Sequence, residues 1–547
     1  MGKRVDNILI IEDIIFVIEF KVGQNSYDTT SINQLIDYVL DLKNFHEGSH
    51  NKKLVPILVA TDAPLFENQF NVKNNVYLPF KVNQFNFNKV INQILEIMPT
   101  KNNLDVDTWE SSKYKPTPTI VEAAQALYRG HNVEEISRHG ADKINLSLTS
   151  SCLNEIIDFS KSNNKKSICF VTGVPGAGKT LAGLNVANGR MNTDKEEQAV
   201  FLSGNGPLVQ VLREALAQDK YKHLIEIGQK IKIDDARRDA NSFIQNIHHF
   251  RDEYLKDSSA PIEKVVVFDE AQRAWNTKET SRFIKGRGGD PNFNMSEPQF
   301  LISVMDRHQD WCCIVCLIGG GQEINKGEAG IQEWLIALKK FFSDWDIYYS
   351  NAICSNPNYL PNVELNSWLL KNGTKKENLH LSTCIRSFRA MQLSEFVEKL
   401  LNLNKLEAQR VFEKLNNKYP IVISRDLKKC KQWLKEKAMG NERTGILISS
   451  SARRMRSLGL DAENGIRSNS GKDKIAQWFL NSKDDIRSSS FLELPATQFA
   501  VQGLELDGVC LAWGGDLSFQ DNNWVHKYFT GNSWKYHNTE EKKRKDI

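Results

Sequence analysis

Residues 167–180 read Ser167-Ile-Cys-Phe-Val-Thr-Gly173-Val-Pro-Gly176-Ala-Gly178-Lys179-Thr180. An apolar run of strand length, Ile168–Thr172, ends in a glycine-rich turn, and a helical stretch, Leu181–Asn188, follows it. Phosphate binding requires this order. Glycines let backbone N–H groups curl around an anion at a helix N-terminus, where unpaired donors and the helix dipole favour negative charge. Gly173, Gly176 and Gly178 supply that cradle. Lys179 is placed to reach the β- and γ-phosphates, and the Thr180 hydroxyl to ligate Mg²⁺.

Downstream, short apolar runs at Ala199–Ser203, Lys264–Phe268 and Cys313–Ile318 alternate with helical stretches as far as about Tyr349. Strands separated by helices predict a parallel sheet, so the region is read as α/β. One of these runs continues as Val265-Val-Val-Phe-Asp-Glu-Ala-Gln272. A hydrophobic strand ending in Asp-Glu delivers two carboxylates to the sheet edge where ligands bind in open α/β folds. Asp269 is expected to hold Mg²⁺, and Glu270 to orient or deprotonate an attacking water. Hydrolysis of ATP or GTP is the base expectation.

Composition bounds what surrounds this unit. At 547 residues, with roughly 150 residues per domain, three or four domains are expected. Lys and Arg number 71 against 67 Asp and Glu, so the net charge of +4 gives a weak global field, and nucleic-acid affinity must come from local basic surface. Nine scattered cysteines do not make a secreted disulfide framework. Apolar runs are strand-sized and broken by charge, and the N-terminus has no signal-peptide core, so a cytoplasmic protein without membrane spans is expected.

Further pieces follow in chain order. Leu202-Ser-Gly-Asn-Gly206 comes directly after a strand, where a nucleic-acid-contacting loop would lie. Gly319-Gly-Gly-Gln322 follows the strand Cys313–Ile318, and a side-chain amide there can sense a γ-phosphate. Cys384-Ile-Arg-Ser-Phe388 offers Arg386, and Gln502-Gly-Leu-Glu505 lies in a second α/β region that runs from about Leu379 to the end, with strands at Gly445–Ser449 and Val509–Ala512.

From about Trp109 onward the chain resembles the Schlafen group 3-like DNA/RNA helicase domain, a relative of superfamily 1 helicases. The resemblance is carried by FVTGVPGAGKT, DEAQRAW, GGGQEINKGEAGIQEW, IRSFRA and QGLELD. It implies two RecA-like lobes that clamp ATP. Arg386 of the second lobe would reach the γ-phosphate, Glu505 would contact the ribose, and Gln322 would couple hydrolysis to strand movement. Superfamily 1 helicases end with a Thr-Arg-containing motif, and none follows Gly514-Gly-Asp516 here. Arg544, in the basic run 540–547, is a poor substitute. The chain therefore reads as cut short, with an incomplete second lobe.

The N-terminus carries a second pattern. Strand-like runs Ile8–Ile11 and Ile14–Lys21 precede an amphipathic stretch from Ser31, a plausible N-cap, to about Phe45, and then a strand at Leu54–Ala60. Glu19 and Lys21 share one face of their strand, and Gln34 and Tyr38 share one helical face. Asp6, Glu19-x-Lys21 and Gln34-xxx-Tyr38 in this order resemble the PD-(D/E)xK nucleases, notably the RecB-like branch. In that likeness Asp6 and Glu19 bind Mg²⁺, Lys21 activates water or stabilises the developing phosphorane charge, and Gln34 and Tyr38 brace the site. An isolated Glu-x-Lys is also a common exposed cross-strand pair. The helix that usually leads the Asp-bearing strand is missing, so this end too reads as trimmed.

Other residues are read more plainly. Cys313 and Cys316 have CxxC spacing inside an apolar strand and are expected to be core, as is Trp334. His248 and His249 lack a second ligand pair. Arg453, Arg454 and Arg456 are candidates for phosphate contacts.

The expected architecture is α/β: a small restriction-endonuclease-like domain over 1–100, a linker with helices over 101–164, one RecA-like lobe over 165–375, and a second over 376–547. The expected function is an ATP- and Mg²⁺-dependent helicase or translocase fused to a nuclease, acting on nucleic acid, DNA rather than RNA, in phage defence or DNA repair. The competing expectation is an ATP-binding switch that unwinds nothing and carries an inactive nuclease-like domain.

Overall fold

The computed structural model describes the chain apart from residues 1–4, 50–51, 71, 74–75, 99–102, 113–118, 131–139, 174–175, 192–196, 320–329, 358, 383–387, 417–418, 441, 462–464, 467–471, 531 and 537–547. Three units follow one another. In the first, the strands Asn7–Ile11, Ile14–Lys21, Lys53–Ala60 and Phe80–Val82 form one sheet in that order, antiparallel at the first pairing and parallel after it. The run Ile14–Ile18 is buried residue after residue because helices cover both faces. Helix Thr29–Phe45 puts Leu35 and Val39 on one face, and helix Phe87–Ile97 puts Val90, Ile91 and Ile94 on the other.

Helix Thr29–Phe45 starts earlier than expected. Asp28 is the N-cap, with an extended backbone, and its carboxylate accepts from the Ser31 N–H at 2.8 Å and the Ser31 hydroxyl at 2.7 Å. Ser31 is thus the donor that Asp28 caps. A carboxylate reaches the third N–H as well as serine does and adds charge at the positive end of the dipole.

The second unit is an eight-stranded, wholly parallel sheet. Its main path runs Gly373–Lys375, Asp346–Tyr349, Lys166–Gly173, Cys312–Gly319, Val265–Asp269, Ala199–Ser203, Ile244–Asn246. A short strand, His380–Leu381, pairs with the end of Lys166–Gly173, so this sheet continues past residue 375. Register aligns Gly319 with Gly173 and Asp269 with Ser203, which brings every motif of this lobe to one carboxyl edge.

In the third unit, strand Thr444–Ile448 lies between Ala496–Thr497 and Gly508–Ala512, all parallel. Helix Lys472–Leu480 sends Ile475, Trp478 and Phe479 into the same core as Leu208 and Leu212 of helix Gly206–Glu226. The expectation of α/β structure to the end needs correcting. After Ala512 the chain makes an antiparallel meander, Leu517–Gln520, Asn523–Thr530, Ser533–Tyr536. Its first turn, Asp521-Asn522, has φ of 49° and 59°, the left-handed pair that tight hairpins favour. Among the described residues no helix is long and apolar enough to cross a membrane.

Candidate functional site

The glycine-rich turn leaves a buried strand, Lys166–Gly173, and enters helix Lys179–Met191. A Cβ on Gly173 would stand 2.8 Å from both the Cβ and the carbonyl oxygen of Leu381, so no side chain fits there. Gly176 and Gly178 have φ of 76° and 83°, which other residues rarely adopt. Lys179 Nζ donates to the Gly173 carbonyl at 2.8 Å, which holds the ammonium over the turn. Thr180 Oγ1 donates towards both oxygens of Asp269, at 3.2 and 3.4 Å.

Asp269 is 5% exposed. Burial, with the neighbouring Glu270 charge adding to it, pushes its carboxyl up to about 7, against the pull of Thr180 and Lys179. A buried carboxylate that prefers a proton is short of positive charge, and a divalent cation beside it would supply that charge. Thr180 and Asp269 offer hard oxygen donors of the kind Mg²⁺ selects. The residues present therefore fit the ion that the sequence predicts here.

Glu270 takes a left-handed conformation, φ 54° and ψ 44°, at the end of its strand. For a non-glycine residue this costs on the order of 1 kcal/mol and marks a held geometry. The holder is Gln272, which is 3% exposed. Its Nε2 donates to Glu270 Oε2, its Oε1 accepts from the Gly319 N–H at 3.0 Å, and its carbonyl accepts from the Gly330 N–H at 3.0 Å. Gln272 thus ties the acid to both borders of residues 320–329. The sequence marks Gln272 as part of a motif but gives it no task; its place two residues after Glu270 is the signal.

Gln322, Arg386 and Arg544 lie outside the described residues. Trp334 is fully buried, its indole donating to the Ala271 carbonyl at 2.9 Å, so it packs under the Glu270 turn as core. Cys313 and Cys316 are fully buried in their strand, and burial pushes the Cys316 thiol well up, away from the thiolate that zinc needs. Burial also lowers His248 to about 4, and Arg251 adds to the effect. The ring is neutral and packs beside Trp275 and Phe283. Among the described residues no group of three or more His, Cys, Asp or Glu could hold a metal.

A family profile described as "Schlafen group 3, DNA/RNA helicase domain" matches residues 166–547. The chain belongs to this family. Helicase-type function, nucleic-acid binding and a P-loop NTPase core come with it. No curated protein matches the chain. Among solved structures, the Pyrococcus furiosus Hef helicase domain is similar over 65% of this chain and 88% of its own length, at 12% identity and a TM-score of 0.24, too loose a superposition to argue from.

Two segments picked out in the sequence touch between the parallel-sheet lobe and the third unit of this Schlafen group 3 helicase domain. Asn205 Nδ2 donates to the Gln502 carbonyl at 2.8 Å, joining the Leu202–Gly206 loop to the Gln502–Glu505 turn. Glu505 lies half-buried on that turn. Of the three arginines singled out, Arg456 pairs with Asp461 at 3.0 Å, Arg453 is exposed, and Arg454 lies over the Phe529 ring.

The N-terminal residues also come together. Lys21 Nζ donates to Glu19 Oε1 at 2.8 Å and to Gln34 Oε1 at 3.4 Å, while Gln34 Nε2 donates to the Tyr38 hydroxyl at 2.6 Å. Asp6 Oδ2 accepts the Phe20 N–H at 3.0 Å, which fixes it beside the Glu19–Lys21 strand. The hydrogen bond from Lys21 to Glu19 raises the Lys21 pKa, and Asp6 adds a smaller push. Glu19 is buried, and its Oε2 has no hydrogen-bond partner among the described residues. An orphaned buried carboxylate oxygen near a second acid fits a divalent cation.

Proposed function

We propose that the chain is an ATP- and Mg²⁺-dependent helicase or translocase whose N-terminal domain cleaves nucleic acid. The observation that supports the motor best is the Thr180–Asp269 contact, in which a buried acid and a hydroxyl meet beside Lys179 at the carboxyl edge of a parallel sheet. Bound Mg²⁺ would neutralise phosphate charge there. Lys179 would swing from the Gly173 carbonyl to the β- and γ-phosphates. Glu270, held by Gln272, would orient or deprotonate the attacking water. Arg386 and Glu505 keep their proposed contacts with γ-phosphate and ribose, and Gln322 its coupling role.

The nuclease half of the proposal is supported by the Asp6, Glu19, Lys21, Gln34 and Tyr38 contacts. Asp6 and Glu19 would hold the metal, and Lys21 would activate water or stabilise developing charge. A cytoplasmic setting in defence against foreign DNA or in DNA repair suits such a fusion. Strand displacement and strand cleavage by the full chain test both halves together. The proposal expects Lys179→Ala to abolish displacement and Glu19→Ala to abolish cleavage while sparing ATP turnover. Turnover without displacement would make the chain a nucleotide switch. Cleavage that survives Glu19→Ala would remove the nuclease assignment.

A further inference from the structure

The terminal meander has two unlike faces. Strand residues alternate between faces, and the register pairs Leu517 with His526, Lys527 with Tyr536 and Phe529 with Trp534. One face docks on the lobe: Leu517 and His526 are buried, and the Trp524 indole donates to the Leu401 carbonyl at 3.0 Å. The other face carries Phe529, Trp534, Lys527 and Tyr536.

On that second face Phe529 and Trp534 meet edge to face, with centroids 5.3 Å apart. Trp534 lies across the backbone of Gly515, where a Cβ would come within 2.8 Å of the indole, so the ring is held in place. Trp534 is 37% exposed and Tyr536 61%. Lys527 Nζ sits 5.0 Å from the Tyr536 ring centre, and the exposed Arg454 guanidinium 6.0 Å from that of Phe529. Lys527 is the cation on this face of the strands, Lys535 points from the opposite one, and the meander's acid, Asp521, lies in the first turn, away from Trp534 and Tyr536. Aromatic rings beside cations suit a flexible polyanion whose bases are free to stack. The meander also grows from strand Gly508–Ala512, just after the turn that contacts Asn205 of the other lobe.

We propose that the face built from Phe529, Trp534, Tyr536 and Lys527, flanked by Arg454, is a stacking platform for single-stranded nucleic acid. It rests on the nucleic-acid function of the motor and adds a second contact surface beside the interlobe contact. Bases stack on Trp534 and Tyr536, and the backbone phosphates meet Lys527 and Arg454.

The test is anisotropy of a labelled oligo-deoxythymidine strand titrated with the full chain, beside an abasic strand of equal length. Trp534→Ala and Tyr536→Ala should each weaken oligo-deoxythymidine binding by about ten-fold and leave abasic-strand binding unchanged. Trp534→Phe keeps a ring and should bind like the parent, which separates stacking from misfolding. Lys527→Gln should flatten the salt dependence by about 0.7 in log–log slope. Equal losses on both strands would overturn the platform, as would no loss on either. A change of oligomeric state in Trp534→Ala with unaltered strand binding would make this face a contact between copies, and would also overturn it. If the parent chain binds no single strand at all, the underlying nucleic-acid reading fails as well, which sets that result apart from failure of the platform alone.

Discussion

The two candidate sites each place a lysine near strand-end carboxylates, and their charges are arranged differently. In the motor lobe Lys179 is turned to the Gly173 carbonyl, while Asp269 stays buried with its carboxyl pushed up to about 7. In the N-terminal domain Lys21 already neutralises Glu19 at 2.8 Å, and one Glu19 oxygen is left over. The first site buries its acid with little compensating charge, so a cation beside it would gain much. The second is largely compensated by its own lysine, so a metal there gains less and must share Glu19. The motor site is therefore expected to depend more steeply on its individual residues.

That contrast can be broken by substitution. Lys179→Ala should lower ATP turnover by about 10³-fold or more, since it removes the cation that follows transition-state charge. Steady-state hydrolysis measures this, and a loss under ten-fold would deny the lysine its role. Glu19→Gln should cut strand cleavage by on the order of 10²-fold with ATP turnover unchanged. Cleavage and hydrolysis assayed on one preparation would separate the sites.

Gln272→Ala should reduce nucleic-acid-stimulated turnover by roughly ten-fold while sparing nucleotide affinity, because Glu270 loses its holder and the Gly319 N–H its acceptor. A matching fall in nucleotide affinity would instead show general damage to the lobe. The smallest expected effect tests the contact between the N-terminal domain and the third unit. Met439 packs into the core under helix Thr29–Phe45, and a Cβ on Gly440 would overlap the Asp37 carboxylate. Gly440→Ala should destabilise by about 1–2 kcal/mol, read as a lower thermal midpoint, without changing the turnover of folded protein.

The Lys21 shift adds a pH signature. Its folded pKa is raised above 10.5, so the pair's contribution is fully present below that value and is lost as pH rises through the folded pKa. Stability should fall in that alkaline window, and Glu19→Gln should abolish this part of the fall.

How far the residues could be read in advance follows from how local each feature is. Phosphate binding uses consecutive residues, so Gly173 to Thr180 declare themselves, and Asp269 follows from a strand ending in acid. Glu19, Lys21, Gln34 and Tyr38 were legible because strand and helix periodicities put them on shared faces. The Gln272 bridge was hidden, since it needs Val265–Asp269 and Cys312–Gly319 to be sheet neighbours. The burial of Met439 in one core with Leu35 and Val39 joins residues some 400 positions apart, and no local pattern announces it. The meander has a local mark in Asp521-Asn522 between alternating residues, which the expectation of α/β structure to the end passed over.

Asp269, Thr180 and Lys179 are proposed to form a metal-dependent nucleotide site that drives a motor. Its most direct test is ATP hydrolysis by the full chain over a Mg²⁺ titration, with and without single-stranded DNA, beside Lys179→Ala. Turnover should require Mg²⁺, rise with DNA and disappear in the variant. Turnover that persists in Lys179→Ala, or that needs no divalent ion, would contradict it.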